Sequence, residues 1–203
     1  MKLHMSPGSP YARMARMAVI ELGLSDQVEA APVVVSPLDT PDALRASNPL
    51  GKIPCLTRDD GPALYDSRVI LRYLDARAGG RLYPDGERLW ATLTLEALAQ
   101  GIADAGVSIS YERRMRPEEK RHQPWVDAQR AKIRAALDRA EQAWISHLSG
   151  PFDMGALCLA AATGYLDFRR GFIDVDWREG RPSLAAWRGR VEERACWAAT
   201  APE

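Results

Sequence analysis

The chain has 203 residues, 46% of them apolar and 27% charged, a globular balance with room for one large domain or two of roughly 80–120 residues. Its 27 basic and 27 acidic side chains cancel, so no net field draws it to nucleic acid or to an anionic membrane. Cys55, Cys158 and Cys196 are an odd set without metal-ligand spacing, no apolar h-region follows Met1-Lys2-Leu3-His4, and the longest apolar run, around Gly155–Leu166, has core-helix length; the expectation is a reduced, soluble, cytoplasmic protein that binds no metal.

In chain order, Lys2–Met5 is a first strand, stopped by Ser6-Pro7-Gly8-Ser9-Pro10. Ser9 stands where a helix N-cap would, and Pro10 at the first helical position, where a missing N–H costs nothing. Met14, Met17, Ala18 and Leu22 recur at helical spacing until Gly23. The run Val28–Val35 predicts a second strand and Pro41–Ala46 a short helix. Asn48-Pro49-Leu50-Gly51 is a turn that delivers Lys52-Ile53 into an apolar strand opening at Pro54. Pro54–Arg58 and Ala63–Tyr65 predict a hairpin turned at Asp59-Asp60-Gly61. Ser67 then caps a helix with Val69, Ile70, Tyr73 and Leu74 on its inner face.

After Gly79-Gly80-Arg81-Leu82-Tyr83-Pro84-Asp85-Gly86, a linker by composition, every pattern is helical. Helices are predicted over Leu89–Tyr111, Trp125–Leu148, Phe152–Phe168 and Ser183–Arg194, the last capped by Ser183 after Pro182. The third is apolar nearly all round and so is the buried centre of this half. Gly150 is its expected N-cap and Asp153 its N3 acceptor, a structural role. The division is 1–78 as a β-α-β-α-β-β-α unit, 79–86 as linker and 87–203 as a helical domain.

Two motifs can carry chemistry. At Ser9-Pro10-Tyr11-Ala12 a strand, a turn and a helix N-terminus make an anion-stabilising corner. Redox enzymes of the thioredoxin type hold Cys-x-x-Cys there, and Ser9 and Ala12 occupy those two positions. A serine forms no disulfide, yet its hydroxyl can hydrogen-bond a thiolate brought by a ligand and lower that thiol's pKa from about 8.5; the alternative is an N-cap and nothing more. At Asp66-Ser67, a carboxylate for an ammonium stands beside a hydroxyl and N–H groups for a carboxylate, a match for an amino-acid head group; the alternative is ordinary capping.

These stretches, in the order Ser9-Pro10-Tyr11, Asn48-Pro49-Leu50-Gly51-Lys52-Ile53-Pro54 and Leu64-Tyr65-Asp66-Ser67-Arg68-Val69-Ile70, followed by an all-helical half, resemble the soluble glutathione S-transferases over essentially the whole chain. Residues 96–105 and 164–169 are similar to the bacterial branch. The resemblance implies an α/β thioredoxin-like N-terminal domain followed by an all-α C-terminal domain. It implies glutathione lying extended on the first domain, with Ile53 before a cis Pro54 pairing its cysteinyl backbone, Asp66 and Ser67 holding the γ-glutamyl head, Lys52 near the glycine carboxylate and Ser9 facing the sulfur. Ser6 and Tyr11 are the other candidates for that last place. It further implies a small hydrophobic electrophile between the domains and a homodimer. On the long helix Asp104, Ser108 and Tyr111 fall at i, i+4, i+7, one polar-edged face that is either an electrophile site or plain solvated surface. Transfer to an electrophile is the leading activity; glutathione-dependent disulfide or peroxide reduction, and a non-catalytic binding module on the same fold, are the alternatives. A redox part for Cys55 is the minor reading beside a small buried hydrophobe. The mixed-charge run 112–121 reads as a solvated turn, and His4, His122 and His147 are too scattered for a metal site.

Overall fold

The computed structural model describes residues 1–202. They form two compact units, one of Met1–Asp85 together with the C-terminal segment from Arg194, the other of Gly86–Glu193. That segment was expected within the helical half, 87–203, and its packing puts it with the first unit instead.

In the first unit, β1 (Lys2–Met5), α1 (Pro10–Glu21), β2 (Glu29–Pro32), α2 (Asp42–Ser47), β3 (Cys55–Arg58), β4 (Gly61–Leu64) and α3 (Ser67–Arg77) follow one another. The strands form a mixed sheet in the order β2-β1-β3-β4, with β1 parallel to β2 and antiparallel to β3, and β3 antiparallel to β4. A parallel β1–β2 pair requires a crossover, which α1 supplies. β2 is shorter than the predicted Val28–Val35 because its partner ends first: Pro32 registers with Met5, and beyond one last bond from the Val33 N–H to the Met5 carbonyl (2.8 Å) β1 has turned away. Leu3, Met5, Cys55 and Leu56 from the sheet, Met14, Met17 and Ala18 from α1, and Ile70, Leu71 and Leu74 from α3 are buried as one core. Helix α10 (Ala195–Ala198) packs on α1. Buried Arg13 stacks its guanidinium on the Trp197 ring at 3.5 Å and donates to the Trp197 carbonyl (3.2 Å), while Arg194 pairs with Glu21.

In the second unit the long helix α4 (Glu87–Met115) packs against α7 (Met154–Phe168) and α5 (Gln123–Arg139). α4 stops at Arg116, extended before Pro117 as a residue preceding proline prefers. Arg121 donates to the Arg113 and Arg116 carbonyls at 3.0 and 3.3 Å, so part of the basic run caps this helix end. Gly155 lets α7 meet α4 closely, since a Cβ there would stand 2.7 Å from the Thr92 carbonyl oxygen. The single helix predicted over Trp125–Leu148 is interrupted: α5 runs into a π-helical turn, Ala140–Trp144, before α6 (Ile145–Leu148). A short α8 (Arg170–Ile173) and α9 (Pro182–Glu192) complete the unit.

Two predicted caps are corrected. α7 starts at Met154, and its N-cap is Asp153, whose carboxylate accepts the Ala156 N–H at 3.0 Å; Gly150 lies too far upstream to cap it. α9 is capped by neither Ser183 nor a local side chain. Its Ser183 and Leu184 N–H groups donate to Glu141 at 3.1 and 2.7 Å, a cap delivered from the π-helical turn. Among the described residues no helix is long and apolar enough to cross a membrane.

Candidate functional site

The register of the sheet collects the three marked stretches. His4 pairs with Cys55, so the C-terminal end of β1 lies beside the N-terminal end of β3; Leu56 pairs with Leu64, so the C-terminal end of β4 lies there as well. The turn after β1 leads to Ser9, the residues before β3 are Lys52-Ile53-Pro54, and those after β4 are Asp66-Ser67. All of them therefore emerge at one end of the sheet.

Ser9 is the N-cap of α1. Its backbone is extended (φ −87°, ψ 125°), its N–H donates to the Ser6 carbonyl at 3.0 Å and its Oγ accepts the Ala12 N–H at 3.3 Å. A hydroxyl that accepts one bond still has a proton to donate, so capping and a second acceptor are compatible here. The helix dipole adds partial positive charge at the same point. Ser6 and Tyr11 flank it, both half-buried.

Asn48, buried, organises the second stretch: its Nδ2 donates to the Lys52 carbonyl at 2.8 Å and its Oδ1 accepts the Leu50 N–H at 3.1 Å. Gly51 closes the turn at φ +63°, and a Cβ there would lie 2.9 Å from Thr40, so both conformation and space demand glycine. The Ile53–Pro54 peptide bond is cis. Ile53 sits just outside the ladder, whose last pair is His4 with Cys55, and Lys52 is exposed.

At the third stretch the cap is shifted by one residue from the sequence reading. Asp66, extended at φ −86° and ψ −160°, is the N-cap of α3: one carboxylate oxygen accepts the Arg68 N–H at 3.1 Å, and the other lies 3.5 Å from the Arg68 guanidinium. Ser67, expected to cap, is instead the first helical residue and is 2% exposed. Two adjacent cap-forming residues leave the choice to backbone dihedrals, which place only Asp66 beneath the first turn. The Asp66 side chain remains 61% exposed, so its charge is open to a ligand.

The cysteines take the bland reading. Cys55 is 0% exposed, and burial pushes its thiol pKa up, away from the thiolate that redox chemistry needs. Cys196 is pushed up to about 11, by burial first and by Glu21 second. On α4, Asp104 is exposed, Ser108 half-buried and Tyr111 41% exposed, whereas Gly106 and Ser110 face α7 through Tyr165. The contribution of the Asn48 side chain was not anticipated; its signal was an Asn preceding a Pro-Leu-Gly turn, where an amide can bond its own backbone.

Comparison with known proteins bears on this arrangement. The model described as "Glutathione S-transferase, N-terminal domain" matches residues 3–82, and "Glutathione S-transferase, C-terminal domain" matches residues 123–190. A glutathione transferase family member from Pseudomonas fluorescens Pf-5, solved with bound glutathione, is 45% identical and superimposes with a TM-score of 0.95 over 100% of this chain and 98% of that one. A structure described likewise, with bound S-(propanoic acid)-glutathione, gives 43% identity and a TM-score of 0.90 over 100% of both chains. The uncharacterized GST-like protein YibF of Escherichia coli (strain K12) is 29% identical over 206 residues, 100% of this chain and 98% of that one. The fold is that of the glutathione transferases, a mixed sheet unit followed by helices, and the chain belongs to the glutathione S-transferase family.

Proposed function

We propose that this protein is a glutathione transferase that adds the glutathione thiolate to small, largely apolar electrophiles. The observation that carries this reading is the convergence of Ser9, Ile53-Pro54 and Asp66-Ser67 at one end of the sheet. Glutathione has the matching groups. Its γ-glutamyl ammonium meets the exposed Asp66 carboxylate, and its α-carboxylate meets the first turn of α3 at Ser67. Its cysteinyl backbone pairs with the N–H and C=O of Ile53, alongside Pro54. Its glycine carboxylate comes within reach of Lys52. Its sulfur lies by Ser9, where the hydroxyl proton and the N-terminus of α1 favour the thiolate over the thiol.

Chemistry then follows from holding a charged nucleophile in position against the electrophile; no acid–base relay is required, and buried Cys55 takes no part. Asp104, Ser108 and Tyr111 are the α4 residues assigned to the electrophile. The Pseudomonas fluorescens relatives with glutathione and an S-substituted glutathione support a site that accepts both the thiol and its conjugate. A cytoplasmic homodimer belongs to the same reading, supported by the exposed apolar side chains Val34, Leu38, Leu50 and Val69 on the first unit.

Calorimetric titration with glutathione tests the proposal. Saturable binding by the wild type, lost in both Asp66→Ala and Ser67→Ala, is the expected result. Absence of binding at millimolar glutathione would overturn it.

A further inference from the structure

Arg169 stands apart from the guanidinium groups around it. Arg170 pairs with Asp176 at 3.1 Å, Arg178 with Asp167 at 2.6 Å, Arg181 with Asp138 at 2.6 Å and Arg188 with Glu192 at 3.1 Å. Among the described residues Arg169 has no acidic partner, and its Nε is buried without a hydrogen-bond acceptor. An arginine is always charged, and a charge withdrawn from water without a counter-ion is costly. Its position at the C-terminal end of α7 offsets part of that cost through the helix dipole. It does not supply an anion.

The surroundings suit an aromatic or otherwise apolar body bearing such an anion. The guanidinium lies 4.1 Å from the centroid of the Phe168 ring, and it hydrogen-bonds the neutral Tyr165 phenol, where this bond and its charge oppose the upward pull of burial on that group. The Tyr165 hydroxyl donates to Ser110 Oγ at 3.1 Å, and Ser110 donates in turn to the Gly106 carbonyl at 2.9 Å, so the phenol oxygen offers Arg169 a neutral acceptor and no negative charge. That chain ties the corner to α4 one residue from Tyr111 and two from Ser108, two of the three residues assigned to the electrophile. The Tyr111 phenol is close enough to act electrostatically on Tyr165. Arg169 itself is half-buried, so part of its planar donor fork remains within reach of a ligand.

We infer that Arg169 is a specificity-determining residue that receives a carboxylate carried by the electrophile, with Phe168 and Tyr111 beside its apolar body. The inference rests on the transferase reading above. A bidentate guanidinium–carboxylate pair has the geometry and strength for such selection. A suitable probe is 4-chloro-3-nitrobenzoate: the glutathione thiolate forms a carbon–sulfur bond at the ring carbon, the carbon–chlorine bond breaks, and chloride leaves with the electron pair. The neutral comparison is 4-chloro-3-nitrobenzamide.

The experiment compares kcat/KM for the acid and the amide in the wild type, Arg169→Gln and Arg169→Lys, with folding checked by circular dichroism. The wild type is expected to prefer the acid by about tenfold or more, the range of one charge-assisted pair. Arg169→Gln should abolish the preference and Arg169→Lys should restore part of it. Equal rates on the pair in the wild type, or an unchanged ratio in Arg169→Gln, would overturn the assignment. If neither probe is conjugated, calorimetric titration with unreactive 3-nitrobenzoate against 3-nitrobenzamide makes the same comparison at equilibrium: acid preference lost in Arg169→Gln sustains the site, and equal binding removes it. Glutathione titrated into the same samples separates the two readings. Binding of glutathione without acid preference overturns Arg169 alone, whereas no glutathione binding overturns the transferase reading and this assignment with it.

Discussion

The Ser9 hydroxyl accepts the Ala12 N–H at 3.3 Å, so the residue proposed to face the glutathione sulfur also holds the first turn of α1. The two roles use different parts of the hydroxyl: a lone pair toward the helix and the proton toward the ligand. Structure and chemistry therefore meet in one atom, and a substitution there acts on both.

Ser9→Ala should remove the cap and the donor together. The cap is worth about 1 kcal/mol, read as a lower denaturation midpoint in urea. Loss of the donor should raise the pKa of bound glutathione and slow conjugation most at neutral pH, with glutathione affinity little changed. Ultraviolet titration of the bound thiolate checks this. A pH profile identical to that of the wild type would assign the sulfur to another group, Ser6 or Tyr11.

Asp66 permits a cleaner separation. Its carboxylate caps α3 through the Arg68 N–H, and an asparagine caps about as well as an aspartate. Asp66→Asn should thus keep most of the stability while losing the charge that pairs with the glutathione ammonium, weakening glutathione binding by about tenfold or more. Asp66→Ala should lose both. Calorimetry beside thermal unfolding tells the cases apart, and equal glutathione affinity in Asp66→Asn and the wild type would remove Asp66 from the ammonium site.

The strands of the first unit could be inferred from sequence because each rests on local chemistry: a Ser-Pro helix start, an Asn-Pro-Leu-Gly turn, and short apolar runs between turn residues; that the three motifs share one ligand was implied only by the family resemblance. The failures were of two kinds. Where two cap-forming residues are adjacent, as at Asp66-Ser67, or where a glycine, a proline and an aspartate compete, as between Gly150 and Asp153, composition does not select the residue and the dihedrals do. Where a partner is remote, no period encodes it. Arg13 meets Trp197 across 184 residues, and Glu141 caps a helix 42 residues on; neither leaves a pattern in a window of one or two turns. Arg169 was hidden for the opposite reason, since what distinguishes it among the described residues is the acidic partner that it lacks.

Asp153 should prove the most costly polar substitution in the helical unit. Besides capping α7, its buried carboxylate accepts from Thr92 Oγ1 at 2.9 Å, pairs with His147 Nε2 at 2.7 Å and lies 3.5 Å from the Arg88 guanidinium. Asp153→Ala strips all of these at once, leaving buried donors unsatisfied at about 1–3 kcal/mol each beside a cap of about 1 kcal/mol. A loss of about 3 kcal/mol or more is expected in urea unfolding. Asp153→Asn keeps an acceptor for Ala156 and should fall between the two. A loss below about 1 kcal/mol in Asp153→Ala would show that water replaces the carboxylate at little cost.

Glu141 makes a prediction about pH. Burial alone would raise its carboxyl pKa, but the Leu184 and Ser183 N–H groups and nearby Arg181 outweigh it and hold the pKa below the usual carboxylate value. A carboxyl whose pKa is lower in the folded than in the unfolded chain binds its proton more readily once unfolded. Its stabilisation is therefore fully present above the unfolded value, about 4.3 for a glutamate, and is lost as pH falls through the lower folded value. The side chain is only partly covered, so solvent screens the gain, and its size should be that of a helix cap, about 1 kcal/mol at most. Wild type minus Glu141→Gln, measured by urea unfolding, should accordingly favour the wild type at neutral pH and shrink toward zero in acid below the carboxylate range. A difference that stays constant from neutral to acid pH would mean that Glu141 holds Ser183 and Leu184 by shape alone, with no contribution from its charge.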